Sequence, residues 1–130
     1  MSRGLVDTSV FVAREQRRSL GALPAQVAIS AMTVAELELG VLAADDAEVR
    51  ALRADALALA RAADPLPVTE AAAGAFARLV DDCRRTGVRA RVVDALIAAT
   101  AVEHGLPVIT QDDGFTAMAG AHGRLHVLRV

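Results

Sequence analysis

Lysine is missing from this chain, and all 14 of its basic residues are arginine. That absence excludes a phosphate loop that needs its lysine, and Schiff-base chemistry on pyridoxal phosphate; receiver-type phosphoacceptor domains normally carry a lysine too. Aromatic residues make up 2% of the chain, with no Trp or Tyr, so there are too few rings for a stacking platform for single-stranded nucleic acid. The single cysteine, Cys83, leaves no disulfide framework and no cysteine-based zinc site within the chain. No run of about 20 uncharged apolar residues is present to cross a bilayer. The opening apolar run turns charged too soon for a signal peptide. The expectation is a soluble cytoplasmic protein.

What is present is aliphatic. Hydrophobic residues are 54% of 130, enough to bury a substantial core built from Leu, Val, Ile and Ala, and the length suits one domain over residues 1–130. Gly4–Leu5–Val6–Asp7 reads as a short buried strand ending in an acid, with Thr8 and Ser9 as caps for a helix over Val10 to Arg17. Gln26 to Ile29 is a second strand. Helices follow over Thr33 to Leu42 and Asp46 to Ala62, the latter with Val49, Leu52, Ala56 and Leu59 or Ala60 on its apolar face. Pro65 and Pro67 break the chain around a short edge strand at Leu66–Val68. A helix from Thr69 and Glu70 to Arg85 stops at Gly87. Another over Arg91 to His104 stops at Gly105 and Pro107. Val108–Thr110 is a strand, Gly114–Gly120 a short helical turn, and His126–Val130 a last strand. Strands alternating with helices predict an α/β fold, a three-layer sandwich with a mainly parallel central sheet flanked by helices.

In such folds reactive groups collect beyond the carboxyl ends of the strands, and four acids fall there. Asp7 closes the first strand, and Asp112 lies two residues beyond Thr110. Glu36 and Asp94 are placed in the first turns of their helices. Taken singly, Asp7 fits a helix cap, Glu36 a solvated residue, and Asp112 with Asp113 a turn. Asp94 resists that reading, because it shares a stripe with Ile97 and Ala98 and a carboxylate there needs a partner. Converging carboxylates suit a hard divalent cation, Mg²⁺ with Mn²⁺ as substitute, over zinc. Two such ions would neutralise four carboxylates and clamp the attacking and leaving oxygens of a phosphodiester. The formal charge of −2 argues mildly against nucleic acid. Setting the four acids aside turns −2 into +2, however, and Arg89 and Arg91 form a basic segment beside Asp94 suited to RNA phosphate.

Leu5-Val6-Asp7-Thr8-Ser9-Val10, Thr33 through Gly40, Asp94 through Ala101, and Val108 through Phe115 occur in that order across the whole chain. Each is weak alone; together they resemble the PIN domain, and in particular the VapC toxins of bacterial toxin–antitoxin pairs. The resemblance implies a metal-dependent endoribonuclease whose metal acids map onto Asp7, Glu36, Asp94 and Asp112. The family's hydroxyl near the metal maps onto Ser9, and the Thr of its last motif onto Thr110. It further implies a homodimer and a VapB-like antitoxin that blocks the site. The Leu and Ala stripes from Leu37 to Leu59 read mostly as core, and their excess would leave an apolar groove where an antitoxin helix docks. Many relatives carry a further Asp where this chain has Gly114; either Asp113 substitutes from one position earlier, or the fifth acid is missing. Two other functions compete. A degenerate PIN fold would bind or autoregulate without catalysis. A haloacid-dehalogenase-like phosphatase would need a second Asp where Ser9 stands, and a lysine. His104 is expected to cap or solvate a helix end, Cys83 to sit in or near the core, and His122 and His126 carry no assigned role.

Overall fold

The computed structural model describes residues 2–130. The central strand β1 (Arg3–Val6) is flanked by β2 (Gln26–Ile29) on one side and β3 (Val108–Thr110) on the other, with β4 (Val127–Arg129) at the far edge. Every pairing is parallel. Parallel strands need crossover helices, and the chain supplies them: α1 (Thr8–Glu15) joins β1 to β2, while α6 (Asp113–Ala121) joins β3 to β4. Between β2 and β3 run α2 (Ala31–Leu42), α3 (Ala47–Ala62), α4 (Glu70–Arg85) and α5 (Val92–His104).

Side-chain alternation along the strands sorts these helices into two layers. Leu5 and Val108 face one way, into a core with Leu79 and Cys83 of α4, Ile97 and Ala98 of α5, and Phe115 and Met118 of α6. Val6 and Ile109 face the other way, onto Val10 and Phe11 of α1, beside a smaller cluster of Ile29, Leu37, Leu57 and Ala60. The expected three-layer sandwich is what forms. Gly4 permits the close approach of β1 and β3, since a Cβ there would lie 2.5 Å from Ile109 Cγ1.

Several element boundaries differ from expectation. α1 begins at Thr8, so Thr8 and Ser9 lie inside it and Asp7 takes the cap position. It also ends earlier than Arg17, which adopts φ 56°. α2 starts at Ala31 because the Ser30 hydroxyl caps Met32 N at 3.0 Å, which moves Glu36 into the second turn. The segment at Leu66 makes one bridge to Ser30 rather than a strand; Pro65 and Pro67 on either side deny it the backbone N–H groups a ladder needs. On α3 the residues turned to the core are Leu57 and Ala60, while Leu52 and Leu59 are exposed. α6 is a full helix capped by Asp112. Cys83 is core, and burial pushes its thiol above the ordinary range.

Candidate active site

β1 delivers Asp7 to the carboxyl edge of the sheet, where its backbone N–H donates to Ile109 O at 3.0 Å. It stands at the N-cap of α1 without capping it. Its carboxylate is held instead by Ser9, whose hydroxyl donates to Oδ1 at 2.7 Å. Ser9 Oγ in turn accepts from Gln111 N at 2.9 Å and lies 3.1 Å from Thr110 Oγ1. The Thr110 hydroxyl accepts from Asp112 N at 2.8 Å. The two hydroxyls expected beside the acids thus form a bridge between the ends of β1 and β3. Asp7 is 3% exposed and no arginine reaches it. Burial pushes its pKa from 3.8 up to about 6, against the lowering effect of Ser9 and Thr110 and with a further push from Asp94.

Asp94 occupies the first turn of α5, a helix buried almost all round, and is itself buried. Burial raises its pKa, and Arg91 opposes the rise. Arg91 Nε donates to Asp94 Oδ2 at 3.1 Å, and its NH2 lies 3.7 Å from Asp112 Oδ2. The other oxygen of Asp112 accepts from Gly114 N at 2.9 Å and caps α6. The Thr8 hydroxyl donates to Glu36 Oε1 at 2.6 Å, fixing that side chain beside the start of α1. Asp94, Asp112 and Glu36 all act on the Arg91 guanidinium and hold its pKa up. Asp94, Asp112 and Glu36 thus lie within electrostatic reach of Arg91, and Asp94 within reach of Asp7.

Other expected residues stand apart. The Asp113 side chain is 91% exposed and pairs with Arg129, so it is not drawn to the other acids. A Cβ at Gly114 would meet Asp112 Oδ1 at 3.3 Å, so an acid there would crowd that carboxylate; this chain is one negative charge lighter at that place. Arg89 is exposed and makes no ion pair among the described residues, whereas Arg91 is committed to the carboxylates. Sequence reasoning missed Thr8 as the support of Glu36, and it missed Gln111 altogether. It also gave His122 no task. That ring is buried, and its Nδ1 lies 2.8 Å from Asp82 Oδ2, which ties the end of α6 to α4. No local pattern marks these pairings, because each joins residues far apart in the chain.

Among the described residues no three Asp, Glu, His or Cys side chains close into a metal-ligand cluster, and Arg91 is the cation present between Asp94 and Asp112. The donor set nevertheless fits a hard divalent ion: it is all oxygen, and one carboxylate, Asp7, is buried with no positive partner among the described residues. Beside the site, α1, α2 and α3 enclose a cavity of about 210 Å³ lined by Thr8, Glu36 and Phe11, among others. It adjoins a larger one of about 320 Å³ with Leu52 and Leu59 on its wall. No helix of the described residues is long and apolar enough to cross a membrane.

The family model for the PIN domain matches residues 4–121. The chain is 57% identical over 100 residues to ribonuclease VapC8 of Mycobacterium tuberculosis, covering 75% of this chain and 89% of that protein. It is 43% identical over 129 residues to ribonuclease VapC5 of the same organism, covering 98% and 95%. Among solved structures, VapBC-5 from Mycobacterium tuberculosis, a member of the VapBC family of toxin–antitoxin systems, superposes with a TM-score of 0.89 at 41% identity over 100% of both chains.

Proposed function

Because the chain belongs to the PIN domain family, we propose that it is an endoribonuclease dependent on Mg²⁺, or on Mn²⁺ in its place, and the toxin of a VapBC-type pair. The observation that carries this reading is Asp7, a buried carboxylate without a cation, set at the sheet edge beside Asp94 and within the same field as Glu36 and Asp112. Asp7, Glu36, Asp94 and Asp112 would hold the metal, which when bound supplies activation of water and neutralisation of phosphate charge.

The chain's own residues do the rest. Ser9 and Thr110 lock Asp7 and the end of β3 into one frame, so the carboxylate is oriented before substrate arrives. Thr8 does the same for Glu36. Arg91 stays charged throughout and offers a guanidinium to phosphate once the carboxylates have another counterion. The cavity walls along α1 and α3, with exposed Leu52 and Leu59, suit an apolar helix of a VapB-like antitoxin. A homodimer belongs to the same reading. The phosphatase alternative loses its ground, since Ser9 serves Asp7 as a hydroxyl and the family is the PIN domain.

The test is cleavage of total cellular RNA by the purified chain, freed of any antitoxin, in Mg²⁺ or Mn²⁺. Asp94→Ala is expected to lower the rate roughly 100-fold or more. Absence of any cut with either ion, together with no calorimetric uptake of Mn²⁺, would leave the non-catalytic binding role in its place.

A further inference from the structure

The turn that leaves α1 carries arginines the acid site does not employ. α1 closes with Arg18 N donating to Ala13 O at 2.8 Å and Arg17 N to Arg14 O at 3.2 Å, the paired bonds of a Schellman stop. Such a stop sets one residue in the left-handed region, where glycine is favoured for want of a Cβ. Here that residue is Arg17, at φ 56°. An arginine in this conformation carries a backbone cost that glycine would avoid; its side chain lies with Arg14 on the wall of the cavity that also holds Glu15 and Asp55. Arg14, Arg17 and Arg18 are exposed; among the described residues, none of their side chains makes an ion pair or hydrogen bond.

The turn is nonetheless tied to the acid site. Gln111 lies between Thr110 and Asp112, and its backbone N–H donates to Ser9 Oγ, the hydroxyl that holds Asp7. Its side-chain amide donates to Ser19 O at 2.9 Å and to Val130 O at 3.1 Å. One glutamine therefore links the support of Asp7 to the residue that follows Arg18. Arg91 is already engaged by Asp94 and Asp112; like the exposed Arg89, this turn carries positive charge without an internal partner among the described residues, and through Gln111 its backbone is connected to the frame that holds Asp7. Guanidinium forks match phosphate oxygens, and a strained residue with no internal partner points to an external one.

Resting on the ribonuclease reading, we propose that the Arg14–Arg17–Arg18 turn grips the RNA backbone beside the acid site, and that Gln111 is the positioning residue that sets it there. A purely structural role makes the opposite forecast. Arginines at a helix C-terminus offset its negative dipole end, so their loss would destabilise the fold and leave RNA untouched.

The two are separated by Arg17→Gly, which relieves the left-handed strain while removing the charge. Binding of a single-stranded RNA oligonucleotide is measured in EDTA across a salt series. Cleavage kinetics in Mg²⁺ and the thermal midpoint are measured alongside. The proposal expects affinity to fall about fivefold, with the salt dependence shallower by about 0.7 in log–log slope. KM should rise with kcat within about twofold, and the midpoint should hold or increase. Gln111→Leu should likewise raise KM while leaving Mn²⁺ uptake unchanged, because the Ser9 contact is made by the backbone. Unchanged RNA affinity and slope in Arg17→Gly would overturn the proposal, with a lowered midpoint assigning the turn to the helix dipole. Lost antitoxin binding with intact RNA binding would overturn it in favour of a protein-docking role. If wild type binds RNA through Arg17 yet cuts none in Mg²⁺ or Mn²⁺, the grip stands and the ribonuclease reading falls.

Discussion

Asp7→Asn should make the metal-free protein more stable while removing its activity. The carboxyl is 3% exposed and lacks a cation, and its pKa rises from 3.8 to about 6. The folded state thus binds this proton more tightly than the unfolded chain does. Below the ordinary carboxylate range Asp7 is neutral in both states and costs nothing. As pH climbs from 3.8 through about 6 the folded state must give up a proton it prefers, and stability is lost. At about 1.4 kcal/mol for each tenfold change in proton affinity, the loss approaches ~3 kcal/mol above pH 7. Asparagine keeps an acceptor for Ser9 and carries no charge, so it should recover about 1–3 kcal/mol there, or about 4–10 °C in thermal midpoint. The assay is a series of melts in EDTA from pH 4 to pH 8 for both proteins. The gap between the curves should be near zero at the acid end and widest at the alkaline end. Added Mn²⁺ should raise the wild-type midpoint by mass action and leave the variant nearly unmoved. A variant that melts at or below wild type at pH 8 would refute the reasoning, since Asp7 would then be compensated by the fold itself.

Arg91→Ala strips the guanidinium from Asp94 and Asp112, so the Asp94 carboxyl should rise further and stability should fall above the carboxylate range. Arg91 is 80% exposed, which limits the loss to about 1 kcal/mol at pH 8. Urea melts at pH 4 and pH 8 check it, and an equal loss at both would remove the charge argument. Phe115→Ala opens a cavity where α6 packs on the sheet, the ring being wholly buried. Chemical denaturation should show a loss of about 3–5 kcal/mol, and a loss under ~1 kcal/mol would mean α6 is not part of the core.

Much of the site was legible because its acids are punctuated by strand ends. Asp7 and Asp112 follow short apolar runs, and Asp94 interrupts one; period and polarity suffice to place them. Helix starts were harder. Asp7, Thr8 and Ser9 are three consecutive capping residues, and spacing cannot choose among them; Asp7 takes the cap position, and its carboxylate, held by Ser9, makes no cap hydrogen bond to α1. Ser30 was passed over as a cap, which set Glu36 one turn too early. On α3 two apolar stripes compete, and only packing reveals that Leu57 meets the core while Leu52 faces outward.

By itself the sequence determined the parallel α/β layering and the ends of β1 and β3 at which Asp7 and Asp112 stand, since these follow from local periodicity and from the rule that strand ends gather in such folds. Only the tertiary structure decided what surrounds those acids. It set Arg91 between Asp94 and Asp112, Thr8 on Glu36, His122 on Asp82, and Gln111 between Ser9 and the arginine turn. The last three span 28, 40 and more than 90 positions, and a hydrogen bond closed over such a separation leaves no trace in the spacing of neighbouring residues.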